Sequence, residues 1–332
     1  MTAPPLIHKA DRDRDGTVRE WFGGMVAKKN VPAVELPGHS RIVVPVLAAV
    51  GGSGRSTVAG LLAASLASSA RSVVLDLAPR LASPWPGWTT EPGTGLASVP
   101  PAAPLSRRRV LAAATRLPGP ADDGWQVLTD HREWSAPPLP LPADPAAWYQ
   151  LAAIGGWQAV VADTSHPMAH DLVASRSAGR SGLTAAWCGL PVSVPVVCAA
   201  ATGSGMAALQ TALSVAAAEG LALERTVVAL VSTGDGRAPA SVRAGETMLA
   251  PRVAAVVRVP YDPGIRARGL RDASRLDARS VQAADRLTRA VIASAHASWG
   301  DPLPAAARPA AAPVQTRSAE ALEAEAVEGA LL

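Results

Sequence analysis

Beyond residue 40, the apolar residues are gathered in short continuous runs rather than in strict alternation with polar residues. A β-branched run such as residues 41–50 is typical of a parallel strand that is buried on both faces. Ala-rich stretches of helical composition separate the runs. This order predicts an α/β fold with a doubly wound, mostly parallel sheet. The predicted strands cover residues 41–50, 71–77, 157–163, 193–200, 225–232 and 252–260.

The regular pattern covers only part of the chain. Residues 1–40 are polar and charged, which predicts a disordered N-terminal arm. Residues 41–300 form the predicted domain, and residues 301–332 are a low-complexity tail that becomes acidic. Within the domain, residues 80–150 are rich in Pro and Trp, which predicts an insertion with a functional surface or disorder. A short helix at 107–116 and a strand at 125–128 are expected inside it.

Net charge and cysteine content say only a little about the partners and the cellular compartment of the protein. The net charge is +4, which is compatible with nucleic acid as a partner without being diagnostic. Cys188 and Cys198 lack metal-ligand spacing and cannot make a disulfide framework, so a reducing compartment is expected. No signal peptide is visible, and the longest apolar runs are too short to span a bilayer. A cytoplasmic location is the expectation.

The most informative segment is the Gly-rich turn between the first predicted strand and a helix. Gly51, Gly52 and Gly54 would let backbone N–H groups wrap round phosphate oxygens, at a helix N-terminus that favours anions. Arg55 supplies a cation, and Ser56 or Thr57 a hydroxyl for Mg²⁺. The strict G-x-x-x-x-G-K-[ST] pattern fails at Ala49 and at Arg55, so the loop alone leaves a ligand-free turn equally open.

Four landmarks in order carry a family resemblance. Residues 50–57 read VGGSGRST, against a family pattern of K-G-G-x-G-K-[ST]-[ST]. Residues 76–80 read DLAPR against D-x-D-P-Q, and residues 163–167 read DTSHP against D-T-P-P. Residues 259–262 read VPYD against I-P-Y-D. Over roughly residues 41 to 295, the chain resembles the ParA/MinD-type P-loop ATPases, the SIMIBI-class proteins with a deviant Walker A motif.

The resemblance implies a P-loop NTPase fold with ATP and Mg²⁺ as cofactors. Asp163 would take the Walker B role and share the metal shell with Ser56 and Asp76. The plainer alternative is that each Asp is a polar strand end at the carboxyl edge of the sheet, where ligands also bind. The implied nucleotide contacts are Gly51, Gly52, Ser53, Gly54, Arg55, Ser56, Thr57 and Pro260.

Three departures fall on residues that the family uses for chemistry. Val50 stands where a signature Lys reaches the partner's phosphates, a contribution worth ~10³–10⁵ in rate in comparable systems. Arg55 keeps the charge of the loop Lys but not its shape. Ala78 replaces the Asp that positions the attacking water. We therefore expect nucleotide binding with weak or lost hydrolysis, and the catalytic residues stay unknown.

The implied role is a positioning, partitioning or assembly factor for a chromosome, a plasmid, or a secretion or conjugation apparatus. A slow but active ATPase and a nucleotide-free scaffold remain alternatives. A protein partner is expected, homodimerisation is possible, and the acidic tail argues against a direct membrane anchor. Five arginines after the last predicted strand are spaced so that a helix could align several of them on one face. That face could make non-specific contacts with DNA phosphates, or it could simply be a solvated helix surface with salt bridges. These arginines are Arg266, Arg268, Arg271, Arg275 and Arg279.

Two other groups of residues have more than one interpretation. Trp85, Trp88, Trp125 and Trp134 could form a partner-docking surface, or a lid that packs on the core. His166, His170 and Asp171 could suggest a metal site, but without a third ligand at helical spacing a turn or helix start is preferred.

Overall fold

The computed structural model describes residues 36, 38–100, 103–118, 124–271 and 275–308. Its centre is an eight-stranded sheet with the order β3-β4-β2-β5-β1-β6-β7-β8. All strands are parallel except β3, which pairs antiparallel with β4 at one edge. The strands are β1 (Ile42–Ala48), β2 (Ser72–Asp76), β3 (Thr115–Leu117), β4 (Trp125–Leu128), β5 (Ala159–Pro167), β6 (Val196–Ala200), β7 (Val227–Val231) and β8 (Ala255–Val259).

Helices connect the strands and cover both faces of the sheet. They are α1 (Arg55–Leu66), α2 (Trp85–Trp88), α3 (Arg107–Ala113), α4 (Pro145–Gly155), α5 (Met168–Ser177), α6 (Leu183–Cys188), α7 (Gly203–Ala218), α8 (Ala240–Leu249), α9 (Pro263–Arg268) and α10 (Ala278–Trp299). Within the described part of the chain, none of them is both long and apolar enough to cross a membrane.

The core has two sides because successive strand residues face opposite ways. On one side, β1, β2 and β5 pack against α1 and α10 in a single apolar cluster. On the other side, α3, α4 and α6 form a second cluster, and α5, α7 and α8 form a third. Burial on both faces explains why the central strands read as continuous apolar runs.

All six strands predicted from the apolar runs are present, and so is the strand at 125–128. The helix expected at 107–116 ends at Ala113, because Thr115 already begins β3. The Pro- and Trp-rich segment therefore adds β3 and β4 to the sheet, with β4 in register with β2.

The ends of the domain extend beyond the predicted boundaries. Leu303 is 1% exposed and belongs to the main core cluster, although the domain was expected to end at residue 300. Ser40 and Ala305 form an antiparallel bridge. Most of the predicted arm, and the tail beyond residue 308, lie outside the described residues.

Candidate phosphate-binding site

The Gly-rich turn lies at the carboxyl edge of β1, between that strand and α1. Gly52 and Gly54 have φ angles of 75° and 78°, which L side chains rarely adopt. A Cβ on Gly54 would also lie 2.9 Å from a methyl group of Val231. The Ser53 hydroxyl donates to the Val50 carbonyl oxygen at 2.7 Å. The sequence therefore produces a tight turn that only glycine permits at two positions.

The turn presents the N-terminus of α1 at this edge. Gly54 is the N-cap, and no side chain caps the helix there. The first N–H groups of any helix lack acceptors within the helix, and they attract anions together with the helix dipole. Gly51 and Gly52 are exposed, and Val50 is 42% exposed. This open backbone is suited to hold phosphate oxygens.

Arg55, the first residue of α1, turns toward the end of β5. Its Nε donates to Asp163 Oδ1 at 3.2 Å, and its Nη1 donates to the His166 carbonyl oxygen at 3.4 Å. The Arg55 side chain is 20% exposed, whereas that of Asp163 is 2% exposed. One side of the guanidinium thus holds the buried carboxylate, and the other side remains near solvent.

Asp163 accepts further hydrogen bonds on its buried side. The Trp85 indole Nε1 donates to Oδ2 at 2.8 Å, and the Ser56 hydroxyl also donates to this carboxylate. Burial raises the pKa of Asp163, while the Ser56, Arg55 and Trp85 donors counteract that rise. Trp85 is fully buried and packs edge-to-face against Trp88 and Trp125, with ring centroids 5.1 and 5.8 Å away.

Asp76 lies beside Asp163, because the two residues are register partners in β2 and β5. Its Oδ2 accepts from the Ser83 hydroxyl at 2.6 Å and from the Thr129 hydroxyl at 2.5 Å. The backbone N–H of Ala78 donates to Oδ1 at 3.1 Å. Burial, with a smaller contribution from the charge of Asp163, raises the pKa of Asp76 to about 7.

The structure brings most of the sequence-predicted residues to one edge. The loop residues 51–57 and both Asp76 and Asp163 are adjacent there. Pro260 follows β8, which β6 and β7 separate from β1. Sequence reasoning did not identify Trp85 as a partner of Asp163, since nothing in a Pro- and Trp-rich segment marks one indole as a donor to a distant strand end.

The four tryptophans do not form one surface. Trp85 and Trp125 are fully buried, while Trp134 is 76% exposed. Trp125 donates from its indole to the Pro118 carbonyl oxygen at 3.0 Å. Trp85 and Trp125 are therefore packed on the core, as the lid interpretation expected.

Next to the loop, His166 packs between α5 and α6. Its Nε2 lies 3.0 Å from the Thr184 hydroxyl oxygen, and burial lowers the pKa of the ring. Asp171 accepts from the backbone N–H groups of Leu183 and Thr184 at the start of α6. Among the described residues, no three His, Cys, Asp or Glu side chains are arranged to hold a metal ion. Asp171 therefore acts as a helix cap.

The arginines after β8 do not share one helical face, so the spacing prediction of a single helix is wrong. Arg266 and Arg268 lie in α9, which ends at Gly269, where φ is 62°. Arg279 lies in the first turn of α10 and pairs with Asp277 at 3.1 Å. Arg271 donates to the Gly87 carbonyl oxygen at 2.7 Å. An open groove of about 550 Å³ beside Trp88 is lined by Arg266, Arg268 and Arg271.

No protein-family model and no curated protein matches the sequence. A ParA family ATPase from Chlorobium tepidum TLS is similar in structure, with a TM-score of 0.50 and 11% identity over 75% of this chain and 99% of that one. The MinC:MinD cell division complex of Aquifex aeolicus gives a TM-score of 0.47 and 12% identity, over 80% and 99% of the chains. A putative plasmid partition protein from Borrelia burgdorferi B31, bound to AMPPNP, gives 0.45 and 10%, over 76% and 99%.

Identities this low show the fold alone. The parallel sheet, the loop at the end of β1 and the acidic strand ends at its carboxyl edge agree with that likeness. The chain has the fold of the ParA/MinD-type P-loop ATPases.

Proposed function

We propose that the chain is a ParA/MinD-like nucleotide-binding protein that binds ATP and hydrolyses it weakly or not at all. Its role would be to position, partition or assemble a larger structure. The single observation that carries this proposal is that the candidate site combines an open, Gly-rich loop with a carboxylate that protein groups already occupy. The phosphate loop keeps its glycine geometry and open backbone, whereas Asp163 is held by Arg55 and Trp85.

Phosphoryl transfer to water depends almost entirely on positioning and on charge stabilisation. In this chain Val50 brings no cation to the loop, and Ala78 brings no carboxylate to hold a water. Binding through backbone N–H groups does not require either residue. A protein that binds nucleotide without rapid turnover acts as a switch set by occupancy, because the ligand shifts the population of conformations.

The test is the shift in melting temperature with ATP, ADP and GTP, for the wild type and two variants at Gly51. A Cβ at Gly51 meets no atom within 4 Å, so a side chain fits there. Gly51→Glu places a negative charge at the loop, and Gly51→Gln is the neutral control of the same size. Ligand at ~100 Kd stabilises by ~2.7 kcal/mol. We expect a shift in the wild type that Gly51→Gln largely keeps and Gly51→Glu loses.

No shift with any nucleotide would overturn this proposal and favour a nucleotide-free scaffold. Turnover that Asp163→Ala abolishes would favour a slow but active ATPase instead. A shift that Gly51→Glu and Gly51→Gln both retain would mean that the nucleotide binds elsewhere.

The expected partners follow from the same reasoning. A protein partner is proposed, and homodimerisation round nucleotide is weakened by Val50 at the position of the cross-reaching Lys. Non-specific DNA is a further candidate, supported by the exposed arginines round Trp88. A cytoplasmic location is supported by the buried free thiols of Cys188 and Cys198.

A further inference from the structure

Protein donors occupy most of the lone pairs with which the Asp163 carboxylate could bind a metal ion. Three protein donors use its oxygens, namely the Arg55 guanidinium, the Ser56 hydroxyl and the Trp85 indole. The residue is 1% exposed. Mg²⁺ requires near-ideal octahedral oxygen ligands and usually keeps several waters, which themselves need acceptors. The two oxygens of Asp163 face N–H and O–H donors instead.

Trp85 is fixed where it is. It is fully buried between Trp88 and Trp125. Below it, α1 carries Gly60, where a Cβ would lie 3.1 Å from the Trp85 ring. Interiors are close-packed, so the ring cannot turn its N–H away from Asp163 without opening a void. The indole therefore remains a donor to this oxygen whatever the loop binds.

Asp76 is equally occupied. The Ser83 hydroxyl, the Thr129 hydroxyl and the Ala78 N–H donate to its two oxygens. An ionised carboxylate has about four lone-pair sites. Protein donors use three of them on Asp163 and three on Asp76, whereas the Ser56 oxygen keeps its lone pairs. The set does not fit Mg²⁺.

Arg55 already places a positive charge beside Asp163, where the metal ion would lie. A guanidinium carries five N–H donors in a planar fork. Nε and one N–H of Nη1 are used by Asp163 and the His166 carbonyl oxygen, and the side chain is 20% exposed. The remaining donors can meet phosphate oxygens, which guanidinium binds well.

Given the proposed nucleotide binding, we propose that this phosphate loop takes its nucleotide as the free anion, without Mg²⁺. Arg55 bridges Asp163 and the phosphates in place of the metal, and Trp85 fixes the other oxygen of that carboxylate. The ligand class is a nucleoside di- or triphosphate whose charge is met by Arg55 and the N-terminus of α1.

The experiment is calorimetric titration of the full chain with ATP and with ADP, once in excess EDTA and once in excess MgCl₂. We expect Kd to be no lower with Mg²⁺ than with EDTA. Binding at least tenfold tighter with Mg²⁺ would overturn this inference and leave the proposed nucleotide binding intact. The absence of binding in both buffers would overturn the proposed function itself.

A second set of variants tests the assigned residues. Trp85→Phe removes the N–H and keeps an aromatic ring, and Arg55→Lys restores a compact ammonium; together they free Asp163. With two of the three donors to Asp163 removed and only the Ser56 hydroxyl left, we expect the double variant to bind ATP at least tenfold tighter with Mg²⁺ than with EDTA. Trp88→Phe with wild-type Arg55 is the control and should stay indifferent to Mg²⁺. A folded double variant that shows no Mg²⁺ dependence would contradict the roles given to Arg55 and Trp85.

Discussion

Asp76 and Asp163 are register partners on the adjacent strands β2 and β5, and their carboxylates differ in the groups that neutralise them. Asp163 has the Arg55 cation beside it, whereas Asp76 has only the hydroxyls of Ser83 and Thr129 and one backbone N–H. Two buried carboxylates this close repel when both are charged. Burial, and to a smaller extent this repulsion, raises the pKa of Asp76 to about 7, so the proton stays on Asp76.

This raised pKa predicts that the free energy of unfolding decreases as the pH rises from about 4 to about 7. The folded protein keeps the Asp76 proton up to about pH 7, while the unfolded chain, with the ordinary value of 3.8, has lost it. The free energy of unfolding falls by up to about 1.4 kcal/mol per pH unit in that window and is level above it.

Asp76→Asn should remove this contribution, so its stability relative to wild type rises from pH 4 to pH 7. Urea unfolding at several pH values measures the difference. Exposed Asp235→Asn is the control and should follow wild type. Equal pH dependence in wild type and Asp76→Asn would contradict a buried, protonated carboxyl.

At the residue scale, the sequence indicated which residues gather at the carboxyl edge of the sheet but not the contacts between them. Gly52, Gly54, Arg55 and Asp163 were recognisable because a strand, a turn and a helix follow one another in the chain. The bond from Trp85 to Asp163 joins residues 78 positions apart. Neither hydrophobic period nor spacing encodes such a pair, because it depends on how α2 packs against β5.

At the scale of elements, α1 is held from two sides. Gly60 lets α1 approach α2 and the segment after α9 closely, since a Cβ there would lie 2.1 Å from Leu270 Cδ1 and 3.1 Å from the Trp85 ring. Opposite, α10 packs its apolar face on α1, and Asp285 accepts from the Ser65 hydroxyl at 2.9 Å. The helix that carries the phosphate loop is thus positioned by its neighbours.

Gly60→Ala should therefore destabilise the protein, although Ala is the better helix former. Overpacking costs about 1–3 kcal/mol, and the gain in helix propensity offsets roughly 1 kcal/mol of that. We expect a net loss of about 1 kcal/mol, and at most about 2 kcal/mol, in urea unfolding. Gly87→Ala is the control, because a Cβ at Gly87 in α2 meets no atom within 4 Å. Unchanged or increased stability of Gly60→Ala would show that Leu270 and Trp85 yield freely.

Element prediction succeeded for the apolar runs, including the four-residue run of β4, and missed β3. The continuous apolar runs of β1, β6 and β7 allowed only one interpretation. β3 has three residues, Thr115–Leu117, and only its pairing with β4 makes it a strand. Likewise, α9 stops at Gly269, so arginine spacing that suited one long helix is divided between two.

For the whole molecule, the exposed arginines that follow β8 give a measurable expectation. Arg266 and Arg275 are both exposed. If this surface contacts DNA phosphates, Arg266→Gln with Arg275→Gln should weaken duplex binding uniformly across sequences. The slope of log K against log salt should fall by about 2, one for each contact removed.

Fluorescence anisotropy of labelled duplexes at several salt concentrations measures that slope. Arg180→Gln with Arg252→Gln removes the same charge from exposed positions elsewhere and should leave the slope unchanged. Equal losses in both double variants would mean that net charge alone attracts DNA.

The doubly wound, mostly parallel fold was predictable because four landmarks each fall at a strand end and appear in a fixed order. The order β2-β5-β1-β6 was not among the expectations and comes from the structure. Within residues 80–150 the sequence predicted the strand at 125–128, but not β3, the pairing of β4 with β2, or the indole beside Asp163.

Because α10 packs on α1, the contact between these helices can form only after the ribosome has synthesised α10. α1 ends at Leu66, and its apolar cover begins at Ala278. At ~5–20 residues per second, roughly 10–40 s of synthesis separate the two. During that time the growing chain exposes the apolar side of the helix that carries the loop. The helix that carries the loop of the candidate site is thus synthesised well before the helix that covers it, and a nascent chain that ends before α10 would present this apolar surface to chaperones.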